Sequence, residues 1–225
     1  MHSKNQVTLQ LPEKVKILGI SGSPRKSGNS EILLRRALDG ARELGADVEL
    51  LRVADKQINA CNGCEACRDT GKCPIDDDMQ AIYGKLLEAN GIIFATPVYF
   101  WGMTGQLKSF IDRTYALAFP EIRLRGKVGG VIVVAGRTAV TLTSVPLYLY
   151  FSANHMLAGD YVHGFADQKG GIKKDKHAMK AALELGKQVV SLIRKGFEFP
   201  GEYDVPIYRY VARKYDIPIS IVDQT

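Results

Sequence analysis

The chain has 225 residues, 46% of them apolar and 24% charged, and a formal net charge of +6. That length suits one domain, or one domain plus an appendage, with ample room for a buried core, and the composition is that of a soluble globular protein without low-complexity blocks. The opening MHSKNQVTLQLPEK lacks a signal peptide's apolar core, no apolar run approaches the roughly 18 residues of a membrane span, and the scattered Lys and Arg accompany no nucleic-acid motif; a cytoplasmic protein free of membrane and nucleic acid is expected.

After a tail over residues 1–13, VKILGIS (15–21) reads as a buried strand, a short apolar run ending in Gly and Ser. GNSEILLRRALDGARELGA has helical spacing, with Ile32, Leu33, Leu34, Ala37, Leu38, Ala41 and Leu44 on one face and Gly45 as a stop. DVELLRV (47–53) is a second strand. A cysteine-bearing loop occupies 58–78, and DDDMQAIYGKLLEAN then opens with acids suited to a helix start and leads into the strand GIIFAT (91–96). A helix within 105–119 precedes VGGVIVVAG (128–136), the most strand-like run of the chain. Residues 138–157 read as helical with a disturbance at Pro146, GDYVHGFA as a fifth strand, and KKDKHAMKAALELGKQVVSLIRKG as a closing helix.

Five βα units in succession imply an α/β fold over residues 14–196, a doubly wound five-stranded parallel sheet. Residues 197–225 carry three prolines and six Tyr or Phe, an aromatic tail that either packs on its own domain or lies across a partner subunit. The positive excess belongs to the second half, where residues 113–225 hold 16 Lys and Arg against 10 Asp and Glu, whereas residues 1–112 hold 14 of each. A solvated surface explains that excess first, an acidic protein or anionic cofactor second.

Two loops carry the chemistry. SGSPRKSGNS (21–30) joins a strand to a helix start, where main-chain N–H groups and the positive helix end make an anion site. Ser21, Ser23, Ser27 and Ser30 offer hydroxyls, Asn29 an amide and Arg25 a charge, a set that favours a phosphomonoester over an ordinary turn. The segment is neither a Walker A loop nor a dinucleotide G-x-G-x-x-G, and it lacks the closing glycine of a nucleophile elbow. TPVYFWGMTG (96–105) places Tyr99, Phe100 and Trp101 between Pro97 and Gly102 just before a helix, a platform for a flat ring unless the aromatics cap the core or an interface. In a sheet of order 2-1-3-4-5 these loops are neighbours at the topological switch point, and AGRTAV (135–140) comes from the next strand.

All four cysteines lie in CNGCEACRDTGKC, spaced C-x2-C-x2-C-x5-C-P. In a reducing compartment such a cluster argues for metal or redox work. The first three positions match the bacterial ferredoxin run and the fourth is displaced by two residues, with Thr70, Gly71 and Lys72 as slack. A cubane cluster suits three thiolates within seven residues better than a zinc tetrahedron does; zinc and free thiols are the alternatives. The loop follows the second strand, so it is expected at the sheet edge that carries the other two loops.

SGSPRKSGNS, TPVYFWGMTGQLKSFIDR and the βα order resemble the flavodoxin-like FMN reductases over roughly residues 14–195, and CNGCEAC…C followed by PIDDDM resembles, more narrowly, the iron–sulfur flavoproteins of anaerobic archaea and bacteria. The resemblance implies a flavodoxin-like fold and FMN held at its phosphate by Ser21, Ser23, Arg25, Asn29 and Ser30. Its ring and ribityl chain would be lined by Pro97, Val98, Tyr99, Phe100, Trp101 and Gly102, with Ala135, Gly136 and Arg137 on the far side. It also implies a [4Fe–4S] cluster on Cys61, Cys64, Cys67 and Cys73, and a homodimer or homotetramer in which a cluster approaches the FMN of a neighbouring subunit.

No acid–base constellation appears elsewhere. His2, His155, His163 and His177 form no metal motif, and Asp76, Asp77 and Asp78 read as helix-start acids rather than a metal site. The leading functional expectation is an electron-transfer flavoprotein, taking electrons from a reduced ferredoxin-like carrier and delivering them to a small-molecule acceptor, with dioxygen or peroxide implied by the resemblance. The alternatives are an NAD(P)H-dependent FMN or quinone reductase without a cluster, and a non-enzymatic redox sensor or zinc-bearing module.

Overall fold

Five short apolar runs become five parallel strands because both faces of each inner run are covered. In the computed structural model, which describes residues 12–217, the elements are β1 (Lys16–Ser21), α1 (Asn29–Glu43), β2 (Asp47–Arg52), α2 (Cys67–Thr70), α3 (Met79–Glu88), β3 (Gly91–Pro97), α4 (Gly105–Arg113), β4 (Val128–Ala135), α5 (Val140–Ala153), β5 (Leu157–Phe165), α6 (Lys176–Lys195) and α7 (Ile207–Tyr215). Strand order is β2-β1-β3-β4-β5, as the sequence leads one to expect. Most of the 1–13 tail and the last eight residues of the chain lie outside the described residues.

Alternation along the inner strands divides the core in two. In β3, Ile93 and Ala95 pack with α1 and α6, while Ile92 and Phe94 pack with α3, α4 and α5. The first layer is tight. A Cβ on Gly40 would fall 2.0 Å from the Leu183 carbonyl oxygen, and one on Gly186 would fall 1.8 Å from that of Ala37, so α1 and α6 touch backbone to backbone.

Two expectations change. α5 runs through Pro146 without interruption. The proline sits on the exposed side with Leu142 and Val145, so water reaches the carbonyl that its missing N–H leaves free. The aromatic tail contains a helix, α7, which begins straight after Pro206.

Candidate functional site

The turn between β1 and α1 closes through the Gly28 N–H to the Arg25 carbonyl (3.0 Å), and the Ser23 hydroxyl accepts from the Arg25 N–H (3.2 Å). Ser27 takes a left-handed conformation (φ 54°) and donates its N–H to Glu31 (3.2 Å). Glu31 is fully buried and ion-paired with Arg35 (2.8 Å) and with Arg52 at the end of β2. Gly28 caps α1 without a side-chain hydrogen bond, which leaves first-turn N–H groups open. The hydroxyls of Ser21 and Ser30 are buried and have no partner. Orphan donors beside an uncapped helix start suit an anion, and a phosphate fits this cradle.

Arg25 is exposed at the rim. Asn29 is differently engaged, because its Nδ2 donates to the Gln168 carbonyl (2.9 Å) and its Oδ1 accepts from the Gly170 N–H (2.8 Å). Its side chain fastens the β5–α6 loop against the cradle.

The aromatic loop leaves β3 at Pro97. Val98 donates to the Val134 carbonyl (2.8 Å), and Tyr99 and Gly102 exchange both main-chain hydrogen bonds (2.8 and 3.1 Å) around Phe100 (φ 40°) and Trp101 (φ 70°). Positive φ at both central residues is the type I′ turn that Asn-Gly ordinarily fills, so two bulky rings here hold a strained backbone. Tyr99, Phe100 and Trp101 are 42%, 98% and 59% exposed, which makes them an open apolar platform. Thr104 stitches the two loops together: its hydroxyl caps α4 by accepting from Leu107 N–H (3.2 Å) and donates to the Gly22 carbonyl (2.6 Å). At the end of β4, Ala135 is buried, and Gly136 and Arg137 are exposed. A side chain at Gly136 would meet the Asp167 carboxylate at 2.9 Å. The predicted residues of all three loops therefore stand at the ends of three adjacent strands.

The cysteine loop is clasped at its base by Arg113, which sequence reasoning missed. Its guanidinium reaches Asp77 (2.6 and 3.1 Å), the Asn59 carbonyl (2.9 Å) before Cys61, and the Ile75 carbonyl (3.2 Å) after Cys73. Burial by itself would raise the Asp77 carboxyl, but Arg113 and the N–H groups of Asn59 and Met79 hold it below the usual carboxylate range. Burial likewise opposes the Arg113 charge, and Asp77 and the neighbouring Cys73 thiol more than offset it. Asp78 accepts from the Gln57 N–H (2.8 Å), so the acids at the start of α3 also lock the loop.

Within the loop, Gly63 (φ 69°), Glu65 (φ 55°) and Gly71 (φ 65°) let the chain curl. Cys61, Cys64, Cys67 and Cys73 all line one cavity of about 650 Å³. Burial pushes the Cys67 thiol up, and Cys73, Cys61 and Cys64 push it the same way, effects that a cation held by the sulfurs would reverse. Among the described residues, no group of three or more His, Cys, Asp or Glu is drawn together closely enough to hold a metal ion. The donor set has the chemistry of a soft metal centre, with its sulfurs sharing a cavity wall rather than a point.

This cavity does not sit at the edge that carries the other loops, where the sequence places it. It lies against the C-terminal ends of α4 and α5. α4 starts beside Gly22 and ends at Arg113, and its nine residues separate cradle and clasp by about 14 Å. The tail closes one side of the cavity through Pro206. Arg209 lies over the Phe119 ring (4.8 Å) and Phe199 stacks on His155 (4.0 Å), so its described part rests on its own domain.

Residues 15–190 match the family model of the NADPH-dependent FMN reductases. The chain belongs to that family. It is a flavin-dependent oxidoreductase of an FMN-binding family. It is 39% identical over 190 residues to the iron–sulfur flavoprotein MJ1083 of Methanocaldococcus jannaschii, a match that covers 80% of this chain and 98% of that one. To the iron–sulfur flavoprotein of Methanosarcina thermophila it is 35% identical over 188 residues, with the same two coverages of 80% and 98%. The solved Trp repressor binding protein of Bacillus subtilis superposes with a TM-score of 0.59 at 30% identity, over 75% of this chain and 99% of its own. Among the described residues, no helix is long and apolar enough to cross a membrane.

Proposed function

We propose that this oxidoreductase carries a [4Fe–4S] cluster on Cys61, Cys64, Cys67 and Cys73 together with FMN, and moves electrons from a reduced ferredoxin-like carrier to a small acceptor such as dioxygen or a peroxide. The observation that carries the reading is the set of four thiols lining one cavity at the end of a loop whose two limbs are fixed by Arg113 and Asp77. The relatives named iron–sulfur flavoproteins, matched over nearly their whole length, support it. When bound, the pair of cofactors connects one-electron with two-electron chemistry.

The chain's own part is to bind and orient. Ser21, Ser23, Ser30 and the open N–H groups of α1 would hold the FMN phosphate; residues 97–102 and 135–137 would flank its ring. The α4 spacing within one chain favours a homodimer or homotetramer in which the cysteine loop of one subunit meets the platform of another. The exposed Leu142, Val145, Leu149, Tyr161 and Phe165 on α5 and β5 offer an apolar surface for such a contact.

A second reading, an NAD(P)H-dependent FMN or quinone reductase without a cluster, is favoured by the exposed Phe100 and Trp101, on which a nicotinamide could approach the flavin. The two are separated by purification without oxygen and assay of iron, sulfide, zinc and FMN. About four iron atoms with matching sulfide and one FMN per chain support the first reading; FMN without iron after reconstitution selects the second. Cys64→Ser is expected to remove the iron and leave FMN bound, because the cradle shares no side chain with the cysteine loop.

A further inference from the structure

A fully buried carboxylate stands behind the phosphate cradle, a site that asks for positive charge. Glu31, the third residue of α1, is 0% exposed. Its Oε2 accepts the Ser27 N–H (3.2 Å) and pairs with Arg52, whose side chain is only 8% exposed. Its Oε1 accepts from both Nε and Nη2 of Arg35 (3.1 and 2.8 Å). Arg52 comes from the end of β2, in register with Ser21 of β1, and also reaches Asp55 (2.9 Å). The network ties the turn before α1 to the neighbouring strand.

Stability does not account for this arrangement. A glutamate in the first turn of a helix can satisfy the main chain before it from the surface, as in a capping box. Burying the carboxylate together with an arginine takes both out of water, a cost that their attraction does little more than offset. Nor does charge account for it. Glu31 faces the guanidiniums of Arg35 and Arg52, and the two arginines would attract a phosphate more strongly without it.

What the pair does fix is geometry, and here the geometry is strained. Ser27 is the third residue of the turn closed by the Gly28 N–H on the Arg25 carbonyl (3.0 Å), with φ at 54°. Positive φ at that position belongs to glycine or asparagine, and serine holds it against a steric penalty. Glu31 meets the one main-chain donor of that residue. The turn seats Gly28, where a Cβ would come within 3.0 Å of the Arg25 carbonyl oxygen and the Ser23 hydroxyl. Gly28 in turn caps α1 and leaves its first-turn N–H groups open. We propose that Glu31, held by Arg52, is a positioning residue for the flavin phosphate: it keeps Ser27 left-handed so that the first-turn N–H groups of α1 point into the cradle, and thereby sets a preference for FMN over riboflavin. This role rests on the reading in which the cradle holds the FMN phosphate.

FMN and riboflavin, which lacks only the phosphate, make the test, by fluorescence titration of the full chain stripped of flavin. Glu31→Leu combined with Arg52→Met replaces the buried charges by apolar side chains, a change that buried pairs commonly tolerate. It removes one charge of each sign, so the net charge behind the cradle is unchanged, and Arg35 and Asp55 are exposed enough to stay hydrated. This double variant is expected to bind FMN at least about tenfold more weakly and riboflavin within about twofold of the parent. Adding Ser27→Gly, which takes the left-handed turn unaided, is expected to restore most of the lost FMN affinity. Ser27→Val at this exposed position tests the turn without touching the pair, and is expected to weaken FMN alone. A double variant that keeps the parent's FMN affinity, weakens both flavins alike, is not rescued by Ser27→Gly or fails to fold would overturn the proposal, as would a Ser27→Val protein with unchanged FMN affinity. A parent chain that binds FMN no more tightly than riboflavin would overturn the cradle reading and this role with it; a parent that prefers FMN and shares that preference undiminished with the double variant overturns the role alone.

Discussion

Arg113→Met tests whether the cysteine loop is held by a clasp. The Arg113 and Asp77 side chains are 0% and 1% exposed, so removing the guanidinium strands a carboxylate that water does not reach. Breaking a buried pair from one side costs about 3–5 kcal/mol. Asp77 keeps the N–H groups of Asn59 (2.9 Å) and Met79 (3.0 Å), which places the expected loss near the lower bound, at about 3 kcal/mol. A loss of that size is a large share of the roughly 5–15 kcal/mol that holds a domain folded. The Asn59 and Ile75 carbonyls are released at the same time, so the limbs of the loop should part and expose Cys67, which is buried in the intact chain.

Two assays on metal-free protein read these effects separately: urea unfolding followed by circular dichroism for stability, and iodoacetamide labelling of Cys67 by mass spectrometry for the loop. Asp77→Asn in the same background completes a double-mutant cycle, and the double variant is expected to cost at least about 1.5 kcal/mol less than the sum of the singles. A loss below about 1 kcal/mol, with Cys67 labelled no faster than in the parent, would refute the clasp.

Because the Asp77 carboxyl is held below its unfolded value, its contribution is complete above the ordinary carboxylate range and is lost as pH falls through the lower folded value. The stability gap between the parent and Asp77→Asn in urea melts should therefore be full at neutral pH and close below about pH 4. Gly186→Ala forces a methyl to within 1.8 Å of the Ala37 carbonyl oxygen, and thermal unfolding should show a loss of about 3 kcal/mol or more. Gly84→Ala on the exposed face of α3, where an added Cβ meets nothing within 4 Å, should instead gain up to about 1 kcal/mol. Ser21→Ala and Ser30→Ala should leave the FMN-free protein as stable or more so, while flavin fluorescence titration shows each weakening FMN by roughly 0.5–1.5 kcal/mol.

What the sequence reveals here is what repeats or stands close together along the chain. The strands from Val15 to Phe165 show as apolar runs, α1 and α6 as helical spacing, and the cradle and the cysteines as contiguous motifs. The pair Asp77–Arg113 spans 36 residues and leaves no periodic trace, so its partners read separately as a helix-start acid and an ordinary arginine. The Phe100–Trp101 turn is hidden for the opposite reason: its residues contradict the turn type they adopt. Asn29 was legible as a polar residue of the cradle, but its attachment to Gln168 and Gly170 depends on β5 returning beside β4. α7 had a usable signal, Pro206 followed by IYRYVARKY, and was masked by the aromatic and proline content around it.

The placement of Arg113 at the far end of α4 restricts how this chain can change length. One residue inserted between Thr104 and Arg113 would rotate the guanidinium by about 100° about the helix axis and carry it about 1.5 Å along that axis. Thr104 would still be tied to Gly22 while Arg113 faced away from Asp77. Insertions and deletions are consequently tolerable in the turns on either side, where slack can be absorbed, but inside these nine residues the count itself is part of the site.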